Sequence, residues 1–337
     1  MSLPPVEIPL GAMRFNSDSQ KLEYWNGQIW MQIHTFSPNL DGGARGIISG
    51  GASPGASPYA RTDTIQYITI PTAGNAVDFG NLIAAKGYTA ACASNTRGVI
   101  SGGSPGAVDT IQYVTIASTG DSIDAANLTN GRNTHAAFSN QTRGIVAAGG
   151  QDPSQLSTID YVTISSLANA QDFGDMTDSR DYPGGYASPT RGLIVGGQTP
   201  TKVNNIDYIT ISTLGDAQDF GDLTVARRFL QGVGNSTRGI FGSGATPTSV
   251  NTIDYVTIAS RGNATDFGDD IKIRLEGSAA CSSPIRGTWG GGYDSPIGFN
   301  DIGYITIATE GDSVDFGDLL AAVFGASGCS NAHGGLG

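Results

Sequence analysis

The sequence predicts an all-β protein in which a short N-terminal β-meander precedes six copies of a four-stranded unit. Three observations lead there. Glycine supplies 49 of 337 residues, about twice its usual share of roughly 7%. Charged residues make up only 14%, against roughly 25% in an ordinary globular domain. An Arg-Gly step recurs at Arg45, Arg97, Arg143, Arg191, Arg238 and Arg286, at intervals of 46–52 residues. Long amphipathic helices need Ala, Glu, Lys and Leu in bulk, and a disordered tail needs fewer than the 39% hydrophobic residues found here.

Within each copy the same stations follow one another. After Arg-Gly comes an apolar run ending in small residues, such as IISGG or LIVGG. Then comes a run around Tyr67, Tyr113, Tyr161, Tyr208, Tyr255 or Tyr304, such as IDYVTI. A DFG-type turn follows at Asp78, Asp124, Asp172, Asp219, Asp266 and Asp315, degenerate in the second copy. Tyr to Asp is 11 residues in every copy, and Asp to the next Arg is 19 or 20. Length varies in the stretch between the small residues and Tyr, which therefore reads as a surface loop.

Each run reads as a strand. IDYVTI alternates, with β-branched and aromatic residues throughout. The Arg-Gly run is apolar on both faces, as a strand inside a packed sheet would be. The segment before each Arg, such as GYTAACASNT, is small enough for a crowded centre. ATDFGDL supplies a short fourth strand with acidic residues at an exposed edge. A four-stranded unit of this length has the size of a β-propeller blade. The small-residue strand precedes five of the six Arg-Gly steps, and its sixth copy, AAVFGASGCSN, stands at the C-terminus. Six blades are therefore expected, the strand at about 321–332 completing the first beside Ile47–Gly51.

This order of strands resembles the kelch blade over residues 45–334. The usual outer-strand tryptophan is replaced by Phe79, Phe173, Phe220, Phe267 and Phe316. The resemblance implies a kelch-like propeller and no activity, because propellers host many functions.

Residues 1–36 do not match the repeat. Three alternating runs, AMRFN, KLEYW and IWMQI, are separated by turn signals at Ser17-Asp18-Ser19 and Asn26-Gly27, the latter marking a tight hairpin. So small a sheet is marginal alone and needs a partner surface: the chain's own propeller, another copy, or another protein. Phe15, Tyr24, Trp25, Trp30 and Met31 are its attachment candidates. The organisation expected is a meander over 1–36, a linker over 37–44 and the propeller over 45–337. Gly11, Met13-Arg14-Phe15-Asn16, Leu22-Glu23-Tyr24, Asn26-Gly27 and Trp30 resemble a short module near the start of tailed-phage fibre and virion proteins. The DYVTIA and DFGDLT repeat resembles structural proteins of marine and freshwater phages, cyanophages among them. Together these resemblances imply a virion fibre, spike or similar appendage, made in the host cytoplasm. They imply partners among other virion proteins, self-association as a trimer, and a head that contacts a host-surface glycan or protein or serves as structure only. A scaffold propeller outside virions and a glycan-degrading enzyme are the alternatives.

A net charge of −12 disfavours nucleic-acid binding. No apolar run approaches the roughly 18–20 residues of a membrane span, and no Sec signal stands at the N-terminus. Cys92, Cys281 and Cys329 are odd in number and flanked by small residues, so they read as buried free thiols. His34, His135 and His333 lack metal spacing, no cofactor is expected, and the DFG triplets lack the other kinase motifs. The repeated Asp reads as a turn cap. The repeated Arg reads either as a blade-to-blade tie, through that Asp or through carbonyls, or as a ring of anion sites. Residues that break the repeat are the candidates for a ligand or partner: Tyr59 and Arg61, Tyr182 and Tyr186, Arg227 and Arg228, and Trp289, Tyr293 and Phe299.

Overall fold

The computed structural model describes residues 8–16, 21–32, 44–54, 59–151, 154–274 and 279–336. The expected turn at Ser17-Asp18-Ser19, the linker but for Ala44, and His34 lie outside them. The chain divides into two compact units, Met1–Asp41 and Gly42–Gly337.

The smaller unit is a three-stranded antiparallel meander of β1 (Met13–Asn16), β2 (Lys21–Trp25) and β3 (Trp30–Gln32). The Asn26-Gly27 hairpin forms, but with a four-residue loop rather than a two-residue one. Trp25 pairs with Trp30, and Asn26 Oδ1 accepts the Gln28 and Ile29 amides. The Asn side chain thus closes the turn itself.

Among its described residues the larger unit is all-β apart from one short 3-10 turn at Gly334–Leu336. Among the described residues it holds six four-stranded antiparallel sheets, numbered 1 to 6 in chain order of their Arg-Gly strands. Sheet 3 shows the pattern: Ala136–Ser139, Arg143–Ala147, Thr158–Thr163 and Gln171–Asp175, paired in that order. The first two strands are buried nearly throughout, whereas the outer strand keeps its Phe inside and its Asp outside. Sheet 1 is completed from the far end of the chain. Ser327–Ser330 pairs with Gly46–Ser49, ahead of Thr64–Thr69 and Val77–Asn81.

Among the described residues no sheet has a core of its own. Six hydrophobic clusters each join two consecutive sheets, from sheets 1 and 2 round to sheets 6 and 1. The innermost strands also touch in cyclic order, Ser327–Ser330 lying against both Ala279–Ser282 and Ala90–Ala93. Four sheets carry an extra two-stranded hairpin in the loop of variable length. This architecture is compatible with a β-propeller-like arrangement.

One expectation is corrected. The DFG triplet is not a turn: it lies within the outer strand, at a register shift that leaves Phe unpaired as a bulge. Its glycine serves close approach. At Gly80, φ is +152°, and an added Cβ would come within 2.4 Å of the Gly120 carbonyl oxygen in the next sheet. The Gly120 amide donates to the Phe79 carbonyl at 2.8 Å, and four further junctions repeat the bond. At the sixth, both glycines are replaced, by Ala126 and Ala168, and the turn is reshaped with Leu167 at φ +45°.

Because Ser327–Ser330 supplies the innermost strand of sheet 1, deleting residues 320–337 should expose an open edge and abolish cooperative melting. A truncated chain melting at the wild-type temperature would contradict this placement.

Candidate functional site

Most of the repeated stations join neighbouring sheets. Each repeated Arg lies 4.6–4.9 Å over the Tyr ring of its own sheet. Its Nη1 donates to carbonyls at the end of the next sheet's Tyr strand, at 2.7–3.4 Å. Arg45 reaches Ile116, Arg97 reaches Ile164, and the series closes with Arg286 on Ile70 and Pro71. The carbonyl tie is therefore the form taken. The repeated aspartates Asp78, Asp124, Asp172, Asp219, Asp266 and Asp315 stay exposed on the outer strands.

Two further series escaped the sequence reading. A Gly-Asx step precedes each outer strand, with Ala in place of Gly before Asn169. Asn75, Asp121, Asn169, Asp216, Asn263 and Asp312 each accept a backbone amide from the neighbouring outer strand, at 2.8–3.1 Å. The second series is buried. Arg132, Arg180 and Arg227, eight residues after the repeated Asp, are inaccessible to solvent. They pair with Asp160, Asp207 and Asp254, which directly precede Tyr in the next sheet. Thr129, Thr177 and Thr224 give their hydroxyls to the same carboxylates. Burial opposes the charged form of Arg132 and of Arg227, and each aspartate offsets it.

The remaining junctions show how the pair is replaced. Lys86 faces the sheet with Gln112 at the Asp station, and Val323 the sheet with Gln66. Those glutamines accept the Ile83 and Leu320 amides. Gly303 takes the Asp station opposite Arg274, and Asp270 reaches in instead. Its Oδ1 lies 3.1 Å from where a Gly303 Cβ would be, and its Oδ2 is 2.9 Å from Arg274 Nε. The counter-charge is thus restored from a different strand.

Four candidates are buried: Tyr293, in a small core with Ala52 and Phe324, and three more. Arg227 belongs to the buried series. Trp289 is fully buried in the second strand of sheet 6, its Nε1 donating to the Gln231 carbonyl, with Gly242 of sheet 5 making room for its ring. Tyr186 is buried, and its hydroxyl accepts the Gly334 amide at 2.8 Å.

The innermost strands and the turns that lead into them line three small cavities of about 30–50 Å³, room for water but not for a sugar ring. His333 enters the largest of the three, its Nε2 lying 2.8 Å from the Ala93 carbonyl. Cys92, Cys281 and Cys329 are buried free thiols, and burial pushes Cys92 and Cys281 up to about 12.

The other candidates gather in three places. Tyr59 packs edge-on against Tyr293 and Phe324, at 6.2 and 5.0 Å, and Arg61 donates to Ser104 Oγ. Phe299 lies near the cations of Lys272 and Arg274. Tyr182 meets Phe229 at 4.1 Å, and Arg228 covers both rings while donating to Gln198 Oε1 at 2.7 Å. Beside this last group opens a cleft of about 580 Å³, lined by Asn133, Thr134, Gly150, Ser154, Gln155, Asp181, Tyr182, Gln198 and Pro200.

In the meander, alternation divides the five attachment candidates. Trp25 and Trp30 share a face with Arg14 and Glu23. The rings lie 5.5 Å apart, and Arg14 sits 4.2 Å over Trp30 and 2.9 Å from the buried Glu23 carboxylate. Met13, Phe15, Tyr24 and Met31 stand on the opposite face, 38–66% exposed.

Burial holds His333 neutral, its pKa pushed down from 6.5 to about 4. A histidine depressed in the native state stabilises it above the unfolded pKa, and that contribution disappears as pH falls through the native value. Stability should therefore drop by up to about 3 kcal/mol between pH 6.5 and 4 through His333. His333→Gln should show the smaller decline in a denaturant series; equal slopes would contradict the assignment.

No protein-family model and no curated protein matches this sequence.

Proposed function

We propose that this chain is a phage virion structural protein, its larger unit a six-bladed kelch-like β-propeller displayed on an appendage and its meander the attachment element. The propeller reading is supported by six core clusters that each join consecutive sheets, and by the C-terminal strand in the first sheet. The observation that carries the attachment reading is the division of the meander into two faces. One is filled by its own Arg14, Glu23, Trp25 and Trp30, while the other offers Met13, Phe15, Tyr24 and Met31 to solvent. Exposed apolar side chains gathered on one face of a sheet this small fit a contact surface better than a free one. The expected partners are other virion proteins and further copies of this chain, as a trimer. The repeated polar stations are occupied in joining blades, so the propeller's own contacts fall to single-copy residues around its variable loops, where a host-surface glycan or protein would meet it.

Mass spectrometry of purified particles should find the chain in stoichiometric amount. Phe15→Asp combined with Met31→Asp should abolish incorporation without changing the melting of the larger unit. Absence from particles, or undiminished incorporation of the double variant, would overturn the proposal.

A further inference from the structure

The cleft beside Tyr182 is built from residues that the repeat does not fix. Its inner wall comes from one station, the residue before a left-handed backbone position. That pair is Gly87-Tyr88, Asn133-Thr134, Asp181-Tyr182, Arg228-Phe229 and Phe324-Gly325 among the described residues. Tyr88, Thr134, Tyr182 and Phe229 all hold φ between +54° and +64°. Such backbone persists in non-glycine residues only where its surroundings fix it. Here a chain of hydrogen bonds from backbone amide to carbonyl does so: Tyr88 to Gly325, Thr134 to Tyr88, Tyr182 to Thr134 and Phe229 to Tyr182. A wall this constrained presents its side chains in set positions.

Those side chains are polar and linked to one another. Gln155 Nε2 donates to Asp181 Oδ1 at 3.2 Å and to the Gln198 carbonyl at 3.0 Å. Arg228 fixes Gln198 through Oε1. Among the described residues no hydrogen bond engages Gln155 Oε1 or Gln198 Nε2, and the Asp181 carboxylate keeps acceptor capacity beyond Gln155 and its own amide. Two acceptors and a donor, each oriented by the group's other atom, suit hydroxyls, which both donate and accept. The cleft's volume of about 580 Å³ lies within the roughly 300–1,000 Å³ of small-molecule sites.

Charge narrows the class. The Asp181 carboxylate and the protein's net charge of −12 oppose an anion. The nearby cations are already used, Arg228 on Gln198 and over two rings, and Lys202 on the Thr246 carbonyl. Burial raises the Asp181 carboxyl, opposed by Arg228 and Gln155.

We propose that this cleft binds an uncharged saccharide, with Asp181, Gln155 and Gln198 hydrogen-bonding its hydroxyls and Tyr182 forming an aromatic wall. The inference deepens, and rests on, the reading of the larger unit as a displayed binding body. It fails separately from that reading, because saccharide binding by the purified chain and incorporation into particles are independent measurements.

The test is titration of the purified full chain with neutral oligosaccharides of glucose, galactose, mannose, rhamnose and N-acetylhexosamines. Uronic-acid and sialic-acid oligosaccharides form the second arm. Saturable binding of a neutral oligosaccharide is expected, weakened at least tenfold by Asp181→Ala and by Gln198→Ala at unchanged melting temperature. If Asp181→Ala does not fold, Gln198→Ala and Gln155→Ala decide. No neutral saccharide bound at millimolar concentration, binding of acidic oligosaccharides only, or binding indifferent to the folded variants would overturn the assignment.

Discussion

The larger unit depends on the grip of each sheet on the next. A four-stranded sheet of about 47 residues buries too little apolar surface to stand alone, and here six hydrophobic clusters among the described residues are each shared between two sheets. Polar contacts set the register of that shared surface at several levels. Arg-to-carbonyl ties hold one edge, and Gly-Asx turns clasp the neighbouring outer strand. Buried Arg–Asp pairs cross the interior between them. Such buried pairs add little net stability over a well-packed apolar contact, yet removing one partner costs about 3–5 kcal/mol. Their contribution is then to fix which sheet meets which, and in what alignment.

Much of the architecture was legible because a repeat displays its stations by recurrence. The six Arg-Gly strands and the missing first inner strand could be read by alignment alone. Partnership was less legible, since most polar contacts between sheets join one copy to the next. Arg227, taken as a break in the repeat, stands at the same station as Arg180, eight residues after the repeated Asp. Spacing does not show that Arg180 meets Asp207, a residue 27 positions on in another copy. The same limit explains Trp289 and Tyr186. Both break the pattern, yet both occupy core positions, and the compensating change at Gly242 lies in the adjacent sheet. A single-copy aromatic in a repeat protein is as easily a local repacking as a binding residue.

What survives as functional surface is therefore small. The outer strands and the ties are shared by all six sheets, whereas the hairpins and the left-handed station differ from sheet to sheet. Around Asp181 and Tyr182 that difference makes a polar cleft. Around Tyr59, Tyr293 and Phe324 it makes an aromatic cluster near the strand that completes sheet 1. In the meander the opposite logic holds. Its alternation was readable, but which of the five candidates would be satisfied internally followed only from cross-strand register, which sets Trp25 beside Trp30 and Met13 beside Tyr24.

Whether buried pairs align neighbouring sheets through interchangeable stations is read out by transplanting one junction onto another. The junction at Arg180 and Asp207 would be given the residues found at Val323 and Gln66. Arg180→Val alone should cost about 3 kcal/mol of unfolding free energy, because Asp207 is left buried without its counter-charge. Adding Asp207→Gln should recover most of that loss. Single substitutions without effect, or a double variant whose loss is the sum of the two, would contradict the account.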